Sequence, residues 1–170
     1  MRARDILLEK GTEVVTIDVG QSIHDAICKL NEHGIGALIV TGEGEEIVGI
    51  ITERDILRMC GDHCVRLNWL PTQEKTSCPS LVQDAMTKDL IIGVPDDDPN
   101  YIMGVMTKNH IRHLPILDEG SLVGIISIGD LVNAHLEEKV FKNRTLKDYL
   151  SRNLTPTQVK KRREMLEVFD

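Results

Sequence analysis

The chain is written twice. Residues 49–55 read GIITERD and residues 124–130 read GIISIGD. Aligning outward from these phrases pairs GIGALIV (34–40) with HIRHLPI (110–116) and SIHDAICKLNEH (22–33) with DPNYIMGVMTKN (98–109). It also pairs EVVTIDVG (13–20) with DLIIGVPD (89–96), and each half opens on a short phrase, ARDIL (3–7) or VQDAM (82–86). Such a repeat constrains the fold more than any single segment, because each unit must form a similar supersecondary structure. A half of this size buries only about 60% of its unfolded surface and is marginal alone, so the two gain by packing their sheets together. The repeats cover 1–60 and 81–138. A polar connector (61–80) carries Pro71, Pro79 and the only Trp, and a tail follows at 139–170.

Both halves predict the order β-α-β-β-α. EVVTI and LIIGV are short strands rich in Val and Ile. Ser22 caps a helix in which Ile23, Ala26, Ile27 and Leu30 follow helical spacing. Asp98-Pro99 places a cap before a proline at the first helical position, and Ile102 and Met106 then lie one turn apart. IGALIV and HLPIL read as buried strands, and GEGEE and DEGS turn the chain into IVGIIT and LVGIIS. ERDILRMC and IGDLVNAHLEEKV are the closing helices. Thr155-Pro156-Thr157-Gln158 marks a further helix start in the tail, whose KKRR run reads as a solvated face.

Composition removes several function classes. The net charge of −7 opposes binding to nucleic-acid phosphates, and with only 3% aromatic residues there is no base-stacking platform. No run approaches the roughly 20 apolar residues of a membrane span, and the N-terminus lacks the apolar stretch of a signal peptide. The four cysteines are accordingly expected as reduced thiols and the location as cytoplasmic, with no membrane partner.

The duplicated phrase has two readings. Thr52-x-x-Asp55 and Ser127-x-x-Asp130 are capping boxes, in which the hydroxyl satisfies a first-turn N–H and the acid reaches back. The same geometry suits a nucleotide. A helix N-terminus attracts phosphate, and an acceptor-only carboxylate takes two hydrogen bonds from a ribose cis-diol. Gly49 and Gly124 allow a backbone or a ligand to approach closely. Aliphatic strands would supply the slot for the base.

The duplicated β-α-β-β-α unit ending in G-h-h-[ST]-x-x-D resembles the CBS (cystathionine β-synthase) domain, which occurs as a tandem pair, the Bateman module. The resemblance covers residues 3–138. It implies an α/β (α+β) fold of two β-α-β-β-α repeats packed about a pseudo-two-fold axis, plus a C-terminal helix. It further implies clefts that bind AMP, ADP, ATP, NAD or S-adenosylmethionine, a homodimer, and an effector protein of unknown identity. By resemblance, Asp55 and Asp130 contact ribose hydroxyls, and Thr52 and Ser127 lie near ribose or phosphate. Basic residues at the positions of Arg112 and His113 contact phosphate in such proteins; a guanidinium fork suits that role. The first half has Gly36 and Ala37 there, leaving Arg54 and Arg58 as its local candidates. One well-formed site is therefore expected around Ser127, Asp130, Arg112 and His113. Clefts of the family borrow the first strand of the opposite half, which adds Thr16, Ile17 and Val19 to that site, and Gly93 and Val94 to the other.

Cys60, His63, Cys64 and Cys78 could supply zinc ligands, but the fourth lies far along the chain, and free thiols are expected instead. No nucleotide-phosphate loop, nucleophile elbow or metalloprotease motif is present, so no catalysis and no catalytic cofactor are expected. The alternative to a nucleotide-sensing module is an interaction scaffold whose clefts bind S-adenosylmethionine, a metal or nothing.

Overall fold

A computed structural model describes residues 1–66 and 81–153, with side chains described to residue 61 in the first span and to residue 140, plus Arg144, in the second. The elements are α1 (Ala3–Lys10), β1 (Thr16–Asp18), α2 (Ile23–His33), β2 (Ala37–Thr41), β3 (Ile47–Thr52) and α3 (Glu53–Arg66). They continue with α4 (Val82–Ala85), α5 (Pro99–Asn109), β4 (His113–Asp118), β5 (Ser121–Ser127) and α6 (Ile128–Asn153). Residues up to Ser127 form one compact unit, and the chain from Ile128 forms another. The fold is mixed α+β with β-α-β-β-α-like repeats.

In the first repeat, β1 pairs parallel to β2, and β2 pairs antiparallel to β3. In the second, β4 and β5 form the equivalent hairpin. The two hairpins even share an irregularity, a register shift at Val40/Thr41 and at Ile116/Leu117. The strand expected over LIIGV is reduced to a parallel bridge between Gly93 and Ile116. Gly93 has no side chain to pack and sits tight on β4: an added Cβ would lie 2.8 Å from Ile116 Cδ1. The strand expected over EVVTI (13–17) starts later and is shorter, at Thr16–Asp18.

β2 is buried on both faces. Leu38 and Val40 join Ile17, Ile23, Leu30 and Ile51 in the core of the first half. Ala37 and Ile39, with Ile50, pack instead against Leu122 and Ile125 of β5. The halves thus meet through sheet faces, as burial of marginal units requires. The opening phrases cross over. α1 lies against the second half: Ala3 N donates to Asp97 O (3.0 Å), Arg4 N to Pro95 O (2.9 Å), and Arg4 pairs with Asp96. α4 lies against the first half: Val82 is buried in its core, Val82 N donates to Gln21 O (2.9 Å) and Gln83 N to Val19 O (3.2 Å).

Two helices run longer than expected. α3 continues past Cys60 to Arg66, and α6 passes residue 138 to Asn153. The helix start at Thr155, the KKRR run and most of the connector lie outside the described residues. α2 carries a complete capping box, in which Ser22 Oγ donates to Asp25 Oδ2 (2.6 Å) and accepts from Asp25 N (3.1 Å). These bonds from the Ser22 hydroxyl and then its backbone N–H hold the Asp25 carboxyl below its ordinary range; bonds from the Asn100 backbone and side chain do the same for Asp98 at the start of α5. A depressed folded-state pKa stabilises above the unfolded value, and that stability is lost as pH falls through the folded value. The melting temperature is therefore expected to fall modestly below about pH 4, and Asp25→Asn to flatten that slope in a calorimetric pH series. An unchanged slope would contradict this account of the cap.

Candidate functional site

A cavity of about 390 Å³ lies within the first unit, between the two repeats. That volume falls in the range of small-molecule sites. Three stretches of chain build it. The β3–α3 junction brings Thr52, Glu53, Arg54, Asp55 and Arg58. The α5–β4 junction brings His110, Arg112 and His113, and the segment 87–91 brings Thr87, Asp89, Leu90 and Ile91.

The junction at Thr52 is the first copy of the duplicated phrase. Strand pairing ends there because Thr52 is the last β3 residue registered against β2, opposite Ala37. The helix starts at Glu53, leaving first-turn N–H groups without intrahelical partners. Thr52 N (3.0 Å) and Thr52 Oγ1 (2.6 Å) both donate to Asp55 Oδ2, and Asp55 N donates back to Thr52 Oγ1 (3.4 Å). The capping box is thus formed, with the same bonds as at Ser22 and Asp25. It occupies one carboxylate oxygen only; among the described residues Asp55 Oδ1 accepts no hydrogen bond. What sets this box apart from the α2 box is its place in a cavity.

The arginines differ. Arg54 Nη1 donates to His110 O (2.8 Å). His110 is the αL cap of α5 (φ 57°), so Arg54 satisfies a C-terminal carbonyl and complements the negative end of that helix. Arg58 and Arg112 have no hydrogen bond or ion pair among the described residues. Two uncommitted guanidiniums from different repeats therefore converge on one cavity. His113 reaches in as well: a Cβ built on Gly36 would lie 3.2 Å from its Cε1 and 3.5 Å from Glu53 Oε2. Glycine at position 36 leaves room for the histidine of the other half.

The cavity groups these residues differently from the expectation. Arg112 and His113 line the cavity of Thr52 and Asp55, and neither Ser127 nor Asp130 lines it. His113 is the register partner of Ser127, but its ring reaches Gly36 in the first repeat. Asp130 stands in the first turn of α6. The borrowed segment also differs. Gly93 is packed on β4, Val94 is exposed, and neither lines the cavity; residues 87–91 do. Ile17 is a core residue, because strand alternation turns Thr16 and Asp18 outward and Ile17 inward. Val19 packs against the same core, and the Thr16 carbonyl accepts from Lys29 Nζ (2.9 Å). Glu53 and Asp89 are cavity residues that sequence reasoning missed. Glu53 occupies a variable position of the phrase, and Asp89 precedes an apolar run that pointed elsewhere.

The CBS domain family matches residues 3–62 and again residues 82–137. The chain belongs to the CBS-domain family. CBS pairs are regulatory ligand-binding modules. Among relatives, a mitochondrial CBS domain-containing protein of Arabidopsis thaliana, CBSX3, is 34% identical over 133 residues. The match covers 76% of this chain and 60% of that protein. The CBS domain-containing protein YhcV of Bacillus subtilis is 30% identical, over 71% of this chain and 77% of its own length. The crystal structure of a CBS-domain containing protein from Agrobacterium tumefaciens superposes with a TM-score of 0.70 at 35% identity, covering 79% of this chain and 92% of that one. The fold is shared at 24% identity with the CBS pair of protein MJ0100 in complex with 5′-methylthioadenosine and S-adenosyl-L-methionine. Its TM-score is 0.65, with 81% of this chain and 98% of that one covered.

The described part of this CBS pair contains no cluster of three or more His, Cys, Asp or Glu side chains able to hold a metal ion. Cys60 is a half-buried free thiol, and the side chains of His63, Cys64 and Cys78 lie outside the described residues. Among the described residues no helix is long and apolar enough to cross a membrane.

Proposed function

We propose that this CBS pair is a non-enzymatic sensor of an adenosyl ligand, AMP, ADP, ATP or NAD, and passes its ligand state to a partner protein. The observation that carries the reading is the convergence, in one cavity, of a half-free motif carboxylate and two unpaired arginines. Asp55 Oδ1 is an acceptor for a ribose cis-diol. Arg58, Arg112 and His113 offer donors to phosphate, next to the N-terminus of α3. Ile50, Leu90 and Ile91 supply an aliphatic slot for the base. The crystal structure of CBSX2 in complex with AMP shares this fold, with a TM-score of 0.59 at 24% identity. Because Asp55 and Arg112 belong to different repeats, a ligand touching both binds one arrangement of the repeats better than another, which is the requirement for a switch.

Calorimetric titration with AMP, ADP, ATP, NAD and S-adenosylmethionine tests the reading. At least one nucleotide should bind, and Arg112→Ala should weaken AMP by about 10- to 100-fold, the worth of a charge-assisted phosphate contact, while adenosine loses far less. No binding at millimolar ligand would leave an interaction scaffold. Self-association is part of the proposal. Val132, Leu136 and Val140 recur every four residues along α6 and are 46%, 56% and 65% exposed, an apolar stripe suited to a second copy. Light scattering should find a dimer that Leu136→Glu weakens.

A further inference from the structure

The two copies of the phrase differ in their variable positions. GIITERD carries Glu53 and Arg54 where GIISIGD carries Ile128 and Gly129. In the cavity this places a carboxylate at the first residue of α3, and Asp55 adds a second in the same turn. Carboxylates in a first turn offset the positive end of the helix dipole, the feature that otherwise draws phosphate. Asp89 brings a third carboxylate from the segment 87–91. Apart from its two histidines, the cavity holds Arg54, Arg58 and Arg112 against Glu53, Asp55 and Asp89. Three cations face three anions, and one of the cations, Arg54, is already bonded to His110 O.

We infer that Glu53 and Asp89 determine specificity at this site by restricting it to adenosyl ligands with a single phosphate, against those with two or three. The inference rests on the adenosyl-binding reading above. AMP carries about two negative charges at neutral pH, which Arg58 and Arg112 match. Each further phosphate of ATP adds charge that no uncommitted arginine of the cavity meets, in a space that Glu53 and Asp89 also line. Like charges brought together in a partly enclosed cavity repel strongly, because screening by solvent is reduced there. Asp55 has a different role, since its Oδ2 holds the cap and its Oδ1 is the ribose acceptor of the proposed site. Glu53 and Asp89 accept no hydrogen bond from a described side chain that would neutralise them.

The test compares AMP with ATP, without divalent cations and at fixed ionic strength, on the wild-type chain, Glu53→Gln, Asp89→Asn and the double variant. Because the readout is the ratio of two affinities in one protein, a general loss of folded chain cancels. The wild type should prefer AMP by about tenfold or more, and the double variant should cut that preference by about tenfold, mainly by tightening ATP. Each single variant should cut it by less. Binding of both nucleotides with a ratio that the variants leave unchanged would overturn this inference while the adenosyl reading stands. Preference of the wild type for ATP would also overturn it. Failure of every adenine nucleotide to bind would overturn the reading itself, and this inference with it.

Discussion

Asp55→Ala is expected to weaken AMP binding by roughly 30- to 150-fold, the loss of hydrogen bonds from a ribose diol to an ionised acceptor. The same substitution opens the cap of α3, because Thr52 N and Thr52 Oγ1 both donate to Asp55 Oδ2. The cap loss should cost about 1 kcal/mol, or about 2–4 °C of Tm in a chain of this size. Stability and affinity therefore have to be separated, and the molecule contains its own control. Asp25 makes the same bonds with Ser22 at the start of α2 and lines no described cavity. Asp25→Ala should lower Tm to a similar degree and leave AMP affinity intact. A second probe isolates the ribose contact. The wild type should discriminate AMP from 2′-deoxy-AMP, and Asp55→Ala should erase that difference. Equal weakening of both ligands by Asp55→Ala would show that the carboxylate acts only through the cap.

Gly49→Ala is expected to destabilise the chain by about 1–3 kcal/mol, a Tm loss of about 2–12 °C. A Cβ at Gly49 would stand 2.8 Å from the carbonyl oxygen of Thr87 and 2.9 Å from Met86 Sδ. The Thr87 backbone cannot withdraw freely, since it exchanges two hydrogen bonds with Ile50, of 3.0 and 2.9 Å. At the equivalent Gly124 the Cβ would meet only the end of a side chain, Leu7 Cδ2 at 2.5 Å. A leucine can rotate and α1 can shift slightly, so Gly124→Ala should cost less than half as much. Thermal unfolding followed by circular dichroism ranks the two. Equal losses would mean that the 86–87 segment yields as easily as a leucine side chain. Thr87 also borders the cavity, so Gly49→Ala should weaken nucleotide binding as well.

These glycines show what their sequence context left open. Position 49 or 124 could have admitted a ligand or a backbone. In the structure each admits the opening segment of the other repeat: Met86 and Thr87 lie over Gly49, and Leu7 lies over Gly124. The phrases ARDIL and VQDAM stand at the head of their own repeats in the alignment, yet each packs on the opposite one. Nothing local distinguishes the two possibilities, because the repeats present near-equivalent surfaces. The choice depends on total burial and on distant backbone partners such as Asp97 for Ala3 and Gln21 for Val82.

The site divides in the same way. The sequence by itself determined the repeat, the order of its elements, the caps at Ser22, Thr52 and Asp98, the buried strands and the family. All of these follow from short-range rules of periodicity, capping and turn chemistry, which a few neighbouring residues satisfy. Only the tertiary structure decided that Arg112 and His113 share a cavity with Thr52 and Asp55, that Arg54 is held by His110 O, and that Glu53 and Asp89 face the same space. Those relations join residues tens of positions apart, and they are set by how two sheet faces bury Ala37 and Ile39 against Leu122 and Ile125. Burial of apolar area is not directional, so it leaves no local pattern from which such a pairing could be read.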